Sequence, residues 1–247
     1  MRKIYKIIIT ASFLIISNTR LVYADTFSNF SDIEQNIYQH LQNRDSEISF
    51  SYVGNRTEFK NNITQAIISA YSKDDYTARA WVEIKPNTSV LNDKIDTTLK
   101  VSYLTSLEQE KYIDNEIKKI MTDIIKVNMS DLEKIRAIND YLINRYEYDY
   151  SLKSNNAYTA LTTAKTICQG YSMTAYKMLN YAGIENRIIV GSLDGVSHSW
   201  NYILVNNKWY HLDITNNDAA KTNKYYLVEN NVLESNKYEW NKKSYPQ

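Results

Sequence analysis

Three residues in the second half of the chain have the types needed to open an amide: Cys168, His198 and Asp213. A thiolate attacks the carbonyl carbon, an imidazole moves the protons, and a carboxylate fixes the imidazole tautomer. Cys168 is the single cysteine of 247 residues. The N-terminus reads as an export signal, and exported chains usually pair their cysteines as disulfides. A lone thiol is then an inert buried group, an intermolecular crosslink or a nucleophile, and its position favours the third. Beyond it Ala175, Met178, Leu179 and Ala182 recur at helical spacing, and Gly183 ends the run. Cys168 therefore opens a helix, where unpaired N–H groups and the positive dipole end favour thiolate over thiol. The same N–H groups suit an oxyanion.

His198, Trp200, Tyr202 and Leu204 alternate on one strand face, Asn206-Asn207 reads as a hairpin turn, and Trp209, His211 and Asp213 alternate on the return strand. Such a hairpin sets His198 and Asp213 side by side, within reach of a helix carrying Cys168. The plainer readings are a half-buried strand histidine for His198 and a turn or cap acid for Asp213. His211 is a weaker candidate base and is expected to pack or to support the site. No metal-ligand spacing, glycine-rich phosphate loop, dinucleotide fingerprint or EF-hand loop occurs, so neither metal nor cofactor is expected.

The elements that must hold these residues can be sketched. Arg2, Lys3 and Lys6 precede an apolar run from Ile7 to Ile16, and Val22-Tyr23-Ala24 offers a cleavage site, so residues 1–24 read as a signal peptide. A secreted or cell-surface location is the expectation, with no stable membrane insertion after cleavage. Lys and Arg total 29 against 28 Asp and Glu. The leader removes basic residues and no acid, and no basic block remains, which gives nucleic acid no electrostatic support. Tyrosine outnumbers phenylalanine 22 to 5, so tyrosine is the aromatic available for half-buried positions.

Residues 25–127 read as a small α+β lobe. Helices are predicted at 31–43, with a Ser31–Glu34 capping box, and at 58–71. Strands are predicted around Ile48, Phe50 and Tyr52, at 78–84 and at 97–104, with a loop holding Pro86 between the last two. The strongest helical pattern covers 106–126, with a Ser106–Gln109 box and a stripe of Ile113, Ile117, Ile120, Met121 and Ile124. Another helix starts at Ser130, boxed by Glu133. The break at Val127-Asn128-Met129 is taken as the boundary, leaving 128–247 as the catalytic domain.

From about Ser130 to Asp218 the chain resembles the transglutaminase-like superfamily. The resemblance rests on Ile167-Cys168-Gln169-Gly170-Tyr171-Ser172, on Ala182-Gly183-Ile184 with Arg187, on His198-Ser199-Trp200-Asn201 and on Trp209-Tyr210-His211-Leu212-Asp213-Ile214-Thr215, in that order. Glu133 to Leu142 followed by Tyr148-Asp149-Tyr150 resembles the helix that precedes the nucleophile segment. Ser199 stands where relatives often carry Ala, and Asn216 where many carry an aromatic residue. The resemblance implies a papain-like α+β core, with a helix bearing the cysteine packed on an antiparallel sheet bearing the histidine and aspartate. It also implies an upstream indole as second oxyanion donor, but no Trp lies between Trp81 and Trp200. Tyr158 is the candidate substitute, and Gln169 and Trp200 are further candidates for binding substrate or oxyanion.

The implied activity is acyl transfer through a thioester on Cys168, to an amine or to water. Protein or cell-wall peptides offering amides and amines are the expected substrates. A cysteine peptidase or amidase is the second reading, and a non-catalytic surface-binding protein with an enzyme-like fold the third.

Overall fold

The computed structural model describes residues 25–92 and 94–246. The expected leader, residues 1–24, lies outside them. Among the described residues no helix is long and apolar enough to cross a membrane.

The N-terminal half runs β1 (Asp25–Phe27), α1 (Phe30–Gln42), β2 (Glu47–Val53), α2 (Arg56–Tyr71), α3 (Asp75–Ala80), β3 (Trp81–Leu91) and β4 (Lys94–Tyr103). Its sheet has the order β1-β2-β4-β3, with β1 parallel to β2 and the other pairs antiparallel. Ile48, Phe50 and Tyr52 of β2 alternate inward as their period-two pattern requires. They join Ile33, Ile37 and Leu41 of α1 and Leu99 and Val101 of β4 in one core.

Two expectations are corrected in this half. The first helix is capped by Asn29, whose side chain accepts the Asp32 N–H at 2.9 Å, so the Ser31–Glu34 box does not form. The segment predicted as a strand at 78–84 begins as helix α3, capped by Asp74, and β3 then runs through Pro86 to Leu91. Pro86 is tolerated because β3 is the outer strand, where a missing N–H leaves no ladder bond unmade.

The second half runs α4 (Leu107–Ile124), α5 (Asp131–Arg145), β5 (Glu147–Tyr148), α6 (Ala157–Thr163), β6 (Lys165–Thr166), α7 (Cys168–Tyr181), β7 (Asn186–Leu193), β8 (Val196–Val205), β9 (Lys208–Leu212), α8 (Ile214–Ala219), β10 (Tyr226–Val228), α9 (Asn230–Glu234) and β11 (Tyr238–Trp240). Both boxed helices start as their sequences indicate, with reciprocal bonds at Ser106–Gln109 and Ser130–Glu133. The stripe of α4 packs with α5 and α7 in the larger core rather than in the N-terminal lobe. Packing thus moves α4 across the boundary expected at residue 127.

The large sheet has the order β10-β9-β8-β7-β11. β8 and β9 form the hairpin, its turn built on Asn206 and Asn207 at φ 50° and 60°, the left-handed pair a two-residue turn needs. Helix α7 lies against β7 and β8, with α4, α5 and α6 around it. Gly170 allows this depth, because a Cβ there would fall 1.8 Å from Thr166 Oγ1 and 3.2 Å from the Asn156 carbonyl oxygen. The molecule is α+β: a helix headed by Cys168 rests on an antiparallel sheet carrying His198.

Candidate active site

Cys168 is the first residue of α7, and its N-cap Ile167 offers no side-chain acceptor. The backbone N–H groups of Gly170 and Tyr171 both turn back to the Ile167 carbonyl. Those of Cys168 and Gln169 meet no partner among the described residues, the normal state of first-turn donors that no side chain caps.

His198 comes from β8. One ring nitrogen, Nε2, lies 2.7 Å from Asp213 Oδ2, and Cys168 and His198 line the same cavity, close enough for the imidazole to lower the thiol pKa. Asp213 is not on the strand where its alternation placed it. It follows β9 as the N-cap of α8, with Oδ1 accepting the Asn216 N–H at 3.1 Å. The cap reading and the His-orienting reading therefore describe the same carboxylate, one oxygen for each.

The electrostatics follow from burial and pairing. Asp213 is fully buried, which pushes its pKa up. The charge and hydrogen bond of His198, with bonds from Tyr238 and Asn216, outweigh that and hold the carboxyl below its ordinary range. Burial pushes the His198 imidazole down, but Asp213's charge and hydrogen bond, with Cys168, raise it to about 10. Burial raises the Cys168 thiol, and the bond and charge of His198, with the backbone and hydroxyl of Ser199, bring it below its ordinary value. The set favours a thiolate–imidazolium pair.

A cavity of about 390 Å³ opens over Cys168 and His198. Tyr148 and Tyr150 form one wall, edge to face with centroids 5.1 Å apart, and Leu193 and Val196 another. Asp149 accepts N–H bonds from Ser151, Lys153 and Ser154, which folds the loop beside Tyr150. A larger cavity of about 790 Å³ lies between α1, α3, α4 and α7 and contains none of the three residues.

Three further candidates are placed differently from one another. Gln169 donates its side-chain amide to the Asn155 carbonyl at 2.9 Å, tying the head of α7 to the preceding loop. Trp200 is buried, and its indole N–H donates to His211 Nδ1 at 2.9 Å, so it has no hydrogen left for an oxyanion. It lies beside the His198 ring instead, centroids 5.8 Å apart and 22° between planes. Tyr158 packs edge-on against Tyr112 of α4 and does not line the cavity over Cys168. The Trp200 indole and the Tyr158 phenol, candidates for substrate or oxyanion binding, both stand in packing positions. His211 is neutral: burial lowers it to about 4, Nδ1 accepts from Trp200, and Nε2 faces Asn230 Oδ1 at 2.8 Å.

Residues 118–214 match the family model of the transglutaminase-like superfamily, a stretch that contains all three residues and ends one position after Asp213. This segment is similar to transglutaminase-like domains. Mouse kyphoscoliosis peptidase is 26% identical over 121 residues, covering 42% of this chain and 18% of the mouse protein. The human kyphoscoliosis peptidase is 26% identical over 117 residues, covering 40% and 18%. The chain thus spans under a fifth of the length of these relatives. A solved TGase structure matches at 15% identity with a TM-score of 0.41, covering 77% of this chain and 59% of the other.

Sequence reasoning missed Tyr238, whose hydroxyl lies 2.6 Å from Asp213 Oδ2, because it stands in a short terminal strand outside every motif. Asn216 and Ser199 stand out in the sequence only as departures from the residues that relatives often carry, and Asn216 does line the cavity. Asn216 bonds Asp213 and Ser199 acts on the Cys168 thiol, and polar residues where relatives often carry apolar ones, beside His198 and just after Asp213, were the available signal.

Proposed function

We propose that this transglutaminase-like domain is a cysteine acyltransferase that forms a thioester with a carboxamide and passes the acyl group to an amine or to water. The observation that carries the reading is the assembled set: Cys168 at a helix head, on one cavity with His198, which is bonded at 2.7 Å to a buried Asp213.

In this reading Cys168 Sγ attacks the carboxamide carbon, and the negative charge moves to the carbonyl oxygen. The unpartnered N–H groups of Cys168 and Gln169 are the donors for that oxygen. The His198 imidazolium gives its proton to the departing nitrogen, the C–N bond breaks, and ammonia leaves a thioester. His198, now neutral, takes a proton from the acceptor as the acceptor attacks, and the C–S bond breaks to restore thiolate and imidazolium. Asp213 keeps its charge throughout.

Tyr148, Tyr150, Leu193 and Val196 make the cavity walls largely apolar, which suits an acyl donor with apolar side chains beside the reacting amide. The leader reading supports export, with surface proteins or cell-wall peptides as substrates. A peptidase is the same chemistry with a peptide nitrogen leaving and water accepting.

The test incubates residues 25–247 with glutamine-containing proteins or cell-wall fragments, with and without a primary amine, and reads products by intact mass. A Cys168-dependent loss of ~17 Da on crosslinking supports transfer with ammonia as leaving group. Cleavage with gain of water moves the reading to a peptidase. Products unchanged in Cys168→Ala would sink both.

A further inference from the structure

β11 is the outer strand beside β7, and it comes close because Gly191 faces it: a Cβ at Gly191 would fall 2.1 Å from the Glu239 carbonyl oxygen. This approach sets the Tyr238 hydroxyl 2.6 Å from Asp213 Oδ2. Asn216 Nδ2 lies 2.6 Å from the same carboxylate oxygen and 2.9 Å from the Tyr238 oxygen. With His198 Nε2, three groups converge on Oδ2, while Oδ1 takes the Asn216 backbone N–H. The Tyr238 ring is buried and meets His198 and Trp200 at 63° and 82°, centroids 5.9 and 5.2 Å away. Tyr238 and Asn216 both lie beyond the family-matched residues 118–214.

Resting on the reading of Cys168, His198 and Asp213 as the reacting set, we propose that Tyr238 and Asn216 are positioning residues that clamp Oδ2 of Asp213 toward His198. A tyrosine used only for packing needs some acceptor for its hydroxyl. This one is given the oxygen that His198 uses, with an amide bridging the two. No proton is transferred. The phenol and amide donate hydrogen bonds that favour the charged carboxylate and fix its plane.

The consequence has a sign. Donors to a carboxylate favour its ionised form, so the working pair persists above the Asp213 pKa and is lost as pH falls through it. Removing a donor moves that loss to higher pH. The titratable groups facing the centre are Cys168 from α7, His198 from β8, Tyr148 from β5, Tyr225 from the loop before β10 and Tyr238 from β11, with Tyr150 and Asp194 on the cavity. Burial raises Tyr148 and Tyr238, so neither ionises on the acid side.

The experiment follows the rate of Cys168 alkylation by iodoacetamide against pH in the full chain and in Tyr238→Phe, beside kcat and KM for amine incorporation. The acid limb should move up by about one pH unit and kcat fall about tenfold with KM little changed, the scale of one lost hydrogen bond to a charge. Tyr225→Phe, whose ring packs on Tyr238 and whose side chain makes no bond to Asp213, should follow the wild type. A Tyr238→Phe profile superimposable on the wild type would overturn the proposal. If Tyr238→Phe does not fold, Asn216→Ala decides: the same upward shift supports the clamp and an unmoved limb overturns it. Cys168→Ala retaining amine incorporation would instead remove the acyl-transfer reading, while the alkylation limb still judges the clamp.

Discussion

Asp213 carries its charge with no exposed surface, and it does so because each oxygen is matched to donors that the neighbouring elements bring. His211, two residues earlier, solves the opposite problem by staying neutral between Trp200 and Asn230. Its pKa falls from 6.5 to about 4, so the unfolded chain takes up a proton that the folded chain refuses. Its contribution is complete above 6.5 and declines as pH falls toward 4, by about 3 kcal/mol over the whole window. His211→Gln can accept from Trp200 without titrating. Denaturant unfolding of this variant should lose less stability than the wild type between pH 6.5 and 4, and an equal loss would show that His211 does not titrate this way. The three candidate residues, Cys168, His198 and Asp213, could be singled out in the sequence because each stands in a short motif with its neighbours. The packing of Trp200 and Tyr158 was not legible, because sequence gives an aromatic residue's place but not where its polar hydrogen points.

Among the elements, α7 and the β8–β9 hairpin were readable from period and from turn chemistry, since Asn206-Asn207 and Gly183 can be recognised without neighbours. β11 was not, because three residues carry no period and its place is set by tertiary contact with β7. Gly191 is where that contact is decided. In Gly191→Ala the new methyl meets the Glu239 backbone carbonyl, which cannot swing aside as a side chain would. The expected cost is about 1–3 kcal/mol, the usual price of overpacking, with β11 displaced from β7. Thermal unfolding should show the loss. Alkylation of Cys168 in the folded variant should shift in the direction given for Tyr238→Phe, because displacement takes the hydroxyl from Asp213. Stability equal to wild type would contradict the close approach.

The two halves of the molecule are fastened away from Cys168, His198 and Asp213. Glu110 of α4 is buried and takes Arg44 at 2.9 Å and Lys177 of α7 at 3.1 Å, with the Thr105 and Tyr76 hydroxyls donating to it. Burial pushes its carboxyl up, but the charges of Lys177 and Arg44 and the bond from Thr105 hold it below its ordinary value. Asp75 of α3 takes Arg187 of β7 through two bonds and the Ile188 N–H through a third. Pattern reading placed α4 by chain order with the N-terminal lobe, since an amphipathic stripe reveals that a face is buried but not against what. Glu110→Ala leaves Arg44 buried without its carboxylate, Lys177 keeping Asp114 at 2.6 Å, and should cost about 3–5 kcal/mol in chemical denaturation, while Cys168 alkylation in the folded variant stays at the wild-type rate. A loss below 1 kcal/mol, the range of exposed pairs, would mean the cluster is hydrated and not a fastening.

The most direct measurement of the central claim, that Cys168 is an activated thiolate paired with His198, is the pH midpoint of Cys168 alkylation in the wild type and in His198→Ala. The account predicts a wild-type midpoint below the ordinary thiol value of about 8.5, and a His198→Ala midpoint above it, because burial remains once the imidazolium is gone. A wild-type midpoint at or above 8.5 that ignores the loss of His198 would contradict it.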